Sequence, residues 1–173
     1  MRIITLDIDG VANSLRYAES LPKGLTFNTK NPSIERAAGN LDPLAVARLG
    51  RLAKESGASF VLSSYWRYRW ETPEESVQKV KEVFQTFGVD LPLIGYTPMA
   101  GDPDSLIMVP QTRENEILEY LRQNDVSHLA ILDDDGQMGV LRHWLVQTDW
   151  QYGLQDEHIE EVLATLQRPG PKV

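Results

Sequence analysis

Five aspartates stand out by type and spacing. Asp7 and Asp9 flank one isoleucine in LDIDG, and Asp133, Asp134 and Asp135 run consecutively in LAILDDDG. Like charges this close repel, so such a cluster calls for a compensating partner. A hard divalent cation is one. Mg²⁺ is usually held by one or two carboxylates together with waters and a substrate phosphate. A carboxylate can also attack phosphorus as a nucleophile. A second carboxylate two residues away can act as general acid and then as general base. Phosphate oxygens are further bound by hydroxyls and by the Arg fork. Ser63 and Ser64 in VLSSYWR supply the hydroxyls, and Arg113 in TRENEI supplies the fork. Ser63 is the first polar residue after its apolar run, and strand alternation would send the two serines to opposite faces. Ser63 is therefore preferred for the phosphate, with Ser64, Gly10 and Arg67 as further substrate-binding candidates.

These groups need a frame that brings them together. RIITLDID reads as a first, β-branched strand, ASFVLSS as a second, LPLIGYT as a third, HLAILD as a fourth and WLVQTD as a fifth. Between them lie helical patterns. LDPLAVARLGRLAKESG has Asp42 as cap, Pro43 at its first position and Gly57 as its stop. TPEESVQKVKEVFQTFG opens with a capping box, Thr72 with Glu75, and closes at Gly88. TRENEILEYLRQN is capped by Thr112, and DEHIEEVLATL is a last helix before a tail, QRPGPKV, expected to fray. Residues 13–40 contain Pro22, Gly24, Pro32 and Gly39 and read as an insertion or flap in one 173-residue domain. A loop is expected from Pro98 to Gln111. Alternating strands and helices predict an α/β fold, a mostly parallel sheet flanked by helices. In such folds ligands bind beyond the carboxyl ends of the strands, and the acids, serines and Arg113 all fall there or at an adjacent helix start.

The ordered set DIDGV at 7–11, Ser63 in VLSSYWR, Arg113 in TRENEI and ILDDDG resembles the signature of the haloacid dehalogenase (HAD) superfamily. The likeness extends over nearly the whole chain. LDIDGV, LSSYWR, RENEI, ILDDD and LVQTD are further similar to a subgroup of small HAD domains, some found in RNA-repair proteins. The resemblance implies a Rossmann-like sheet of order 3-2-1-4-5 with helices on both faces. It makes Asp7 the nucleophile, Asp9 the acid and base, and Ser63 and Arg113 the holders of the phosphoryl group. Arg113 stands where the family often has Lys. Mg²⁺ would be bound by Asp7, by Asp9 through its backbone carbonyl, and by Asp133 and Asp134. Asp135 reads as a turn residue before Gly136. The implied activity is that of an Mg²⁺-dependent phosphatase working through phospho-Asp7.

Composition bounds the alternatives. There is no cysteine, which excludes disulfides and thiolate metal sites, and the three histidines show no ligand spacing. The formal charge of −8 disfavours a broad grip on nucleic-acid backbone. It points to a small phosphorylated metabolite or nucleotide as substrate. The subgroup resemblance points instead to 3′-phosphorylated RNA or DNA ends. A non-catalytic phosphate- or metal-binding module is a third reading. No apolar run can span a bilayer and nothing resembles a signal peptide, so a soluble cytoplasmic protein with no membrane partner is expected. An EF-hand fails because the required glycine position is Ala12. A receiver domain fails on the order of its acids and lysine. YWRYRW, residues 65–70, reads either as a stacking and phosphate-steering patch or as a packed helix. In the second case Trp66 and Trp70 face the sheet and the arginines snorkel. Arg16, Tyr17, Lys23 and Lys30 of the insertion are candidates to screen substrates.

Overall fold

A computed structural model describes residues 1–25, 29–98 and 111–172. Among these, five strands form one sheet: β1 (Arg2–Leu6), β2 (Ser59–Leu62), β3 (Leu93–Tyr96), β4 (His128–Asp133) and β5 (Leu145–Gln147). The order is β3-β2-β1-β4-β5, and every neighbouring pair is parallel. Parallel sheets are covered on both faces, which is why the central strands read as unbroken apolar runs. The helices are α1 (Leu15–Ser20), α2 (Ile34–Ala38), α3 (Pro43–Ser56), α4 (Pro73–Gln85), α5 (Arg113–Gln123) and α6 (Asp156–Thr165).

The two faces carry separate cores. Ile4, Leu6, Phe60 and Leu62 pack with Leu49 and Leu52 of α3, Val83 of α4 and Ile159 of α6. On the other face Ile3, Val61, Leu129 and Ile131 meet Ile117 and Leu121 of α5. Helix ends follow the local chemistry. Asp42 accepts from the Leu44 amide at 2.9 Å, and Gly57 leaves the helix at φ 58°, a left-handed conformation that glycine adopts without steric cost. Thr72 accepts from the Glu75 amide, but the Glu75 carboxylate reaches back to the Glu71 amide, not to the cap itself.

Three regions differ from expectation or add to it. The insertion contains two short helices, each capped by a serine, Ser14 for α1 and Ser33 for α2. The YWRYRW segment folds as a 3-10 helix, Tyr65–Tyr68, with Trp66 and Trp70 buried. Its arginines do not snorkel. Arg67 and Arg69 are 2% and 7% exposed, and of the six side chains only Tyr65 stands well out in solvent, at 77%. Of the two readings of this segment, the packed one holds for the tryptophans, and the arginines are buried with them. The tail is docked, not frayed: the Gly170 amide donates to Ser127 at 2.7 Å, and Trp144 Nε1 donates to the Pro169 carbonyl at 3.0 Å. One backbone bond, to the residue just before β4, and the indole bond hold it there. The predicted Pro98–Gln111 loop lies outside the described residues from 99 to 110. No helix among the described residues is long and apolar enough to cross a membrane.

Candidate active site

Strand register builds the site. Leu6 lies opposite both Leu62 and Leu132, so Asp7, Ser63 and Asp133 come next at one level of the sheet. The Asp7 amide donates to the Leu132 carbonyl at 3.0 Å, and the Ser63 amide donates to the Leu6 carbonyl at 2.8 Å. Asp7, Asp133 and Asp134 each present an oxygen, and these oxygens lie within 4.8 Å of one another. Arg113, the first residue of α5, faces them. Its Nε is 3.1 Å from Asp133 Oδ2, its Nη2 is 3.7 Å from Asp7 Oδ1, and its Nη1 is 3.5 Å from Glu116 Oε2. A cation at a helix N-terminus opposes the helix dipole. The three carboxylates around Arg113 offset that.

Burial sets the protonation of this cluster. Asp7 is pushed up to about 8, first by loss of hydration and then by the nearby Asp133, while Arg113 pulls it down. Asp133 rises to about 6 for the same first reason, opposed by Arg113. Desolvation also raises Asp134. Burial works against the charge of Arg113, but Asp7, Asp133 and Glu116 together raise its pKa. At neutral pH the cluster therefore holds either a proton or a cation. The residues fit Mg²⁺: the donors are all oxygen, and Asp133 Oδ2 is buried with no aligned hydrogen bond.

The other expected residues fall in three places. Asp9 is not among the clustered oxygens of Asp7, Asp133 and Asp134. Its Oδ1 accepts from Asn13 Nδ2 at 2.8 Å, and Trp66 Nε1 lies 3.2 Å from both of its oxygens. The Ser64 hydroxyl favours the charged form of the Asp7 carboxyl and so works against its upward shift. Ser63 lies at the level of Asp7, yet its hydroxyl accepts from Thr97 Oγ1 at 3.3 Å. Thr97 in turn accepts from Arg67 Nη1 at 3.0 Å, and Arg67 is ion-paired to Glu116. Arg67 thus points into a buried network and not at Asp7. Gly10 sits at φ 80°, and a Cβ there would overlap the Asp134 carboxylate, so glycine is required. Asp135 is exposed and accepts from the Gln137 amide at 2.9 Å, as a turn aspartate does.

Sequence reasoning missed Asn13, Trp66 and Thr148 as parts of the site. Asn13 Oδ1 accepts from the Gly10 amide at 2.9 Å, so one side chain clamps both Asp9 and the turn. Thr148 Oγ1 donates to the Gly10 carbonyl at 2.8 Å. The signals were available: Asn13 follows Asp9 by four residues, and Thr148 lies just past β5, at the carboxyl end where ligands gather.

A cavity of about 360 Å³ opens over the acids. Asp7, Asp9, Arg113, Asp133 and Asp134 line it, and so do Ser14, Leu15, Ala18 and Leu25 of the insertion. Residues 3–159 match the family described as the HAD domain in Swiss Army Knife RNA repair proteins. The chain belongs to this family. No curated protein matches this HAD domain. Among solved structures it is similar to D,D-heptose 1,7-bisphosphate phosphatase from B. bronchiseptica, complexed with magnesium and phosphate. Identity is 17%, the alignment covers 82% of this chain and 74% of that one, and the TM-score is 0.46.

Proposed function

We propose that this HAD domain is an Mg²⁺-dependent phosphomonoesterase working through a phospho-aspartate at position 7. The observation that carries the reading is the convergence of Asp7, Asp133 and Asp134 oxygens with Arg113 on the floor of one cavity. A bound Mg²⁺, held by Asp7, Asp133, Asp134 and the Asp9 backbone carbonyl, would neutralise the acids and the charge developing on the phosphoryl oxygens. Arg113 and a hydroxyl of Ser63 or Ser64 hold the transferring group. An Asp7 carboxylate oxygen bonds to phosphorus as the ester P–O bond breaks. Asp9 gives its proton to the leaving oxygen. Asp9 then takes a proton from water, whose oxygen attacks phosphorus, releasing phosphate and restoring Asp7. Asn13 and Trp66 hold the Asp9 carboxylate in the turn after β1, in the same cavity lining as Asp7, which supports a residue that is positioned before substrate arrives.

The substrate is a small phosphorylated metabolite or nucleotide, and the 13–40 segment partly covers the site and screens it. The acidic charge and the modest cavity support this. The family's description favours a second reading, removal of a 3′-terminal phosphate from RNA or DNA ends. The test is hydrolysis of p-nitrophenyl phosphate. Activity should need Mg²⁺ and vanish in Asp7→Asn. Full activity in Asp7→Asn would sink the mechanism. Comparing rates on mononucleotides and on a 3′-phosphorylated oligonucleotide separates the two substrates.

A further inference from the structure

Tyr65 and Trp150 are large apolar side chains left 77% and 58% exposed. Single exposed hydrophobics are ordinary on a protein surface. These two, however, line one and the same cavity, the one floored by Asp7 and Arg113. Both backbones are fixed. Tyr65 opens the 3-10 helix capped by Ser64, and the Trp150 carbonyl accepts from the Leu15 amide at 2.9 Å. Aromatic side chains on a held backbone have two rotatable angles each and lose little entropy when they bind a flat partner. The same lining includes the apolar side chains of Leu15, Ala18 and Leu25. Among the described lining residues Arg113 is the one cation, set against several aspartates. This lining accepts one phosphoryl group, at Arg113 and the metal site, and repels a second. The body of the substrate then meets apolar and aromatic surface.

We propose that Tyr65 and Trp150 form a stacking subsite for the nucleobase of a phosphorylated nucleotide. The base belongs either to a free nucleoside monophosphate or to the phosphorylated last nucleotide of a strand. The inference rests on the phosphomonoesterase reading and narrows it, since an aliphatic phosphate would leave the aromatic mouth unused.

The test compares kcat/KM on AMP with kcat/KM on glycerol phosphate, with Mg²⁺ present. Tyr65→Ala and Trp150→Ala should each lower the AMP to glycerol phosphate ratio about tenfold, mainly through KM on AMP. Tyr65→Phe and Trp150→Phe should keep most of the ratio. An unchanged ratio in both alanine variants overturns the subsite. A 3′-phosphorylated oligonucleotide, assayed beside AMP, tells the two sources apart, and the preferred substrate must lose rate in the alanine variants for the subsite to stand. Should no substrate turn over, the phosphomonoesterase reading fails by itself. Calorimetric binding of AMP to Asp7→Asn protein with Mg²⁺ then decides the subsite. A roughly tenfold weaker affinity for AMP in the alanine variants supports it. AMP that does not bind, or binds the variants as tightly, overturns it.

Discussion

Asp7, proposed as the nucleophile, is a buried acid beside Asp133 and Arg113. Its carboxyl titrates near 8 in the folded chain without metal, against 3.8 as a free side chain. Asp133, near 6, shifts the same way. Between these limits the folded state binds more protons than the unfolded state, so unfolding free energy falls as pH rises. In EDTA the melting temperature should therefore drop from pH 5 to pH 8, from these groups. Mg²⁺ should flatten that slope by replacing the proton. A melting temperature that rises over this range in EDTA would contradict the assignment. The acidic triplet divides in a related test. Asp134→Asn should raise the Mg²⁺ concentration for half-maximal activity by about tenfold or more, as loss of a metal-site group does. Asp135→Asn, a change to an exposed turn acid, should shift it less than twofold.

The elements position these groups through a few tight contacts. The α5 N-terminus carries Arg113 to the acids, and Glu116, one turn on, holds both Arg113 and Arg67. Arg67 is nearly inaccessible to water. Glu116→Ala would leave its charge buried without the ion pair, a change that costs about 3–5 kcal/mol. Urea unfolding should register that loss, and Glu116→Gln should lose less. The turn after β1 is equally constrained. Gly10→Ala would force a Cβ onto the Asp134 carboxylate at a left-handed φ. The strain should cost about 1–3 kcal/mol, read as a lower melting temperature, and should weaken Mg²⁺ activation because Asp134 must move.

At the scale of the whole molecule, charge argues against a long polyanion track. The chain carries −8 overall, and Arg113 is the single cation among the described residues lining the cavity over the acids. A protein that neutralises many phosphates loses affinity steeply with salt. Here kcat/KM on a 3′-phosphorylated oligonucleotide should change only a few-fold between 50 and 200 mM salt, on the order of one or two phosphate contacts. A steeper fall would place a basic surface outside this cavity in contact with the strand. The two-faced core around the sheet gives the site a rigid base, since β1 and β4 are buried on both sides.

Strand periodicity, helix caps and acidic strand ends were enough to read the α/β frame and to nominate Asp7, Asp9, Arg113 and the Asp133–Asp134 pair from the sequence alone. These signals are local: apolar runs, turn residues and charge pattern are written within a few positions of each other. What the sequence did not determine was where each side chain goes once the strand has ended. The chain is still extended at Ser64, so the two serines do point apart, but alternation does not say which one meets Asp7: Ser64 acts on the Asp7 carboxylate, while the Ser63 hydroxyl pairs with Thr97. Arg67 and Arg69, hydrophilic by type, are drawn inside because Glu116 and the Trp66 ring, 4.0 Å from Arg69, receive them. The tail docks because Ser127 and Trp144, remote in the chain, offer partners to it. Such pairings join residues far apart in sequence, and only the folded sheet brings them within hydrogen-bonding distance.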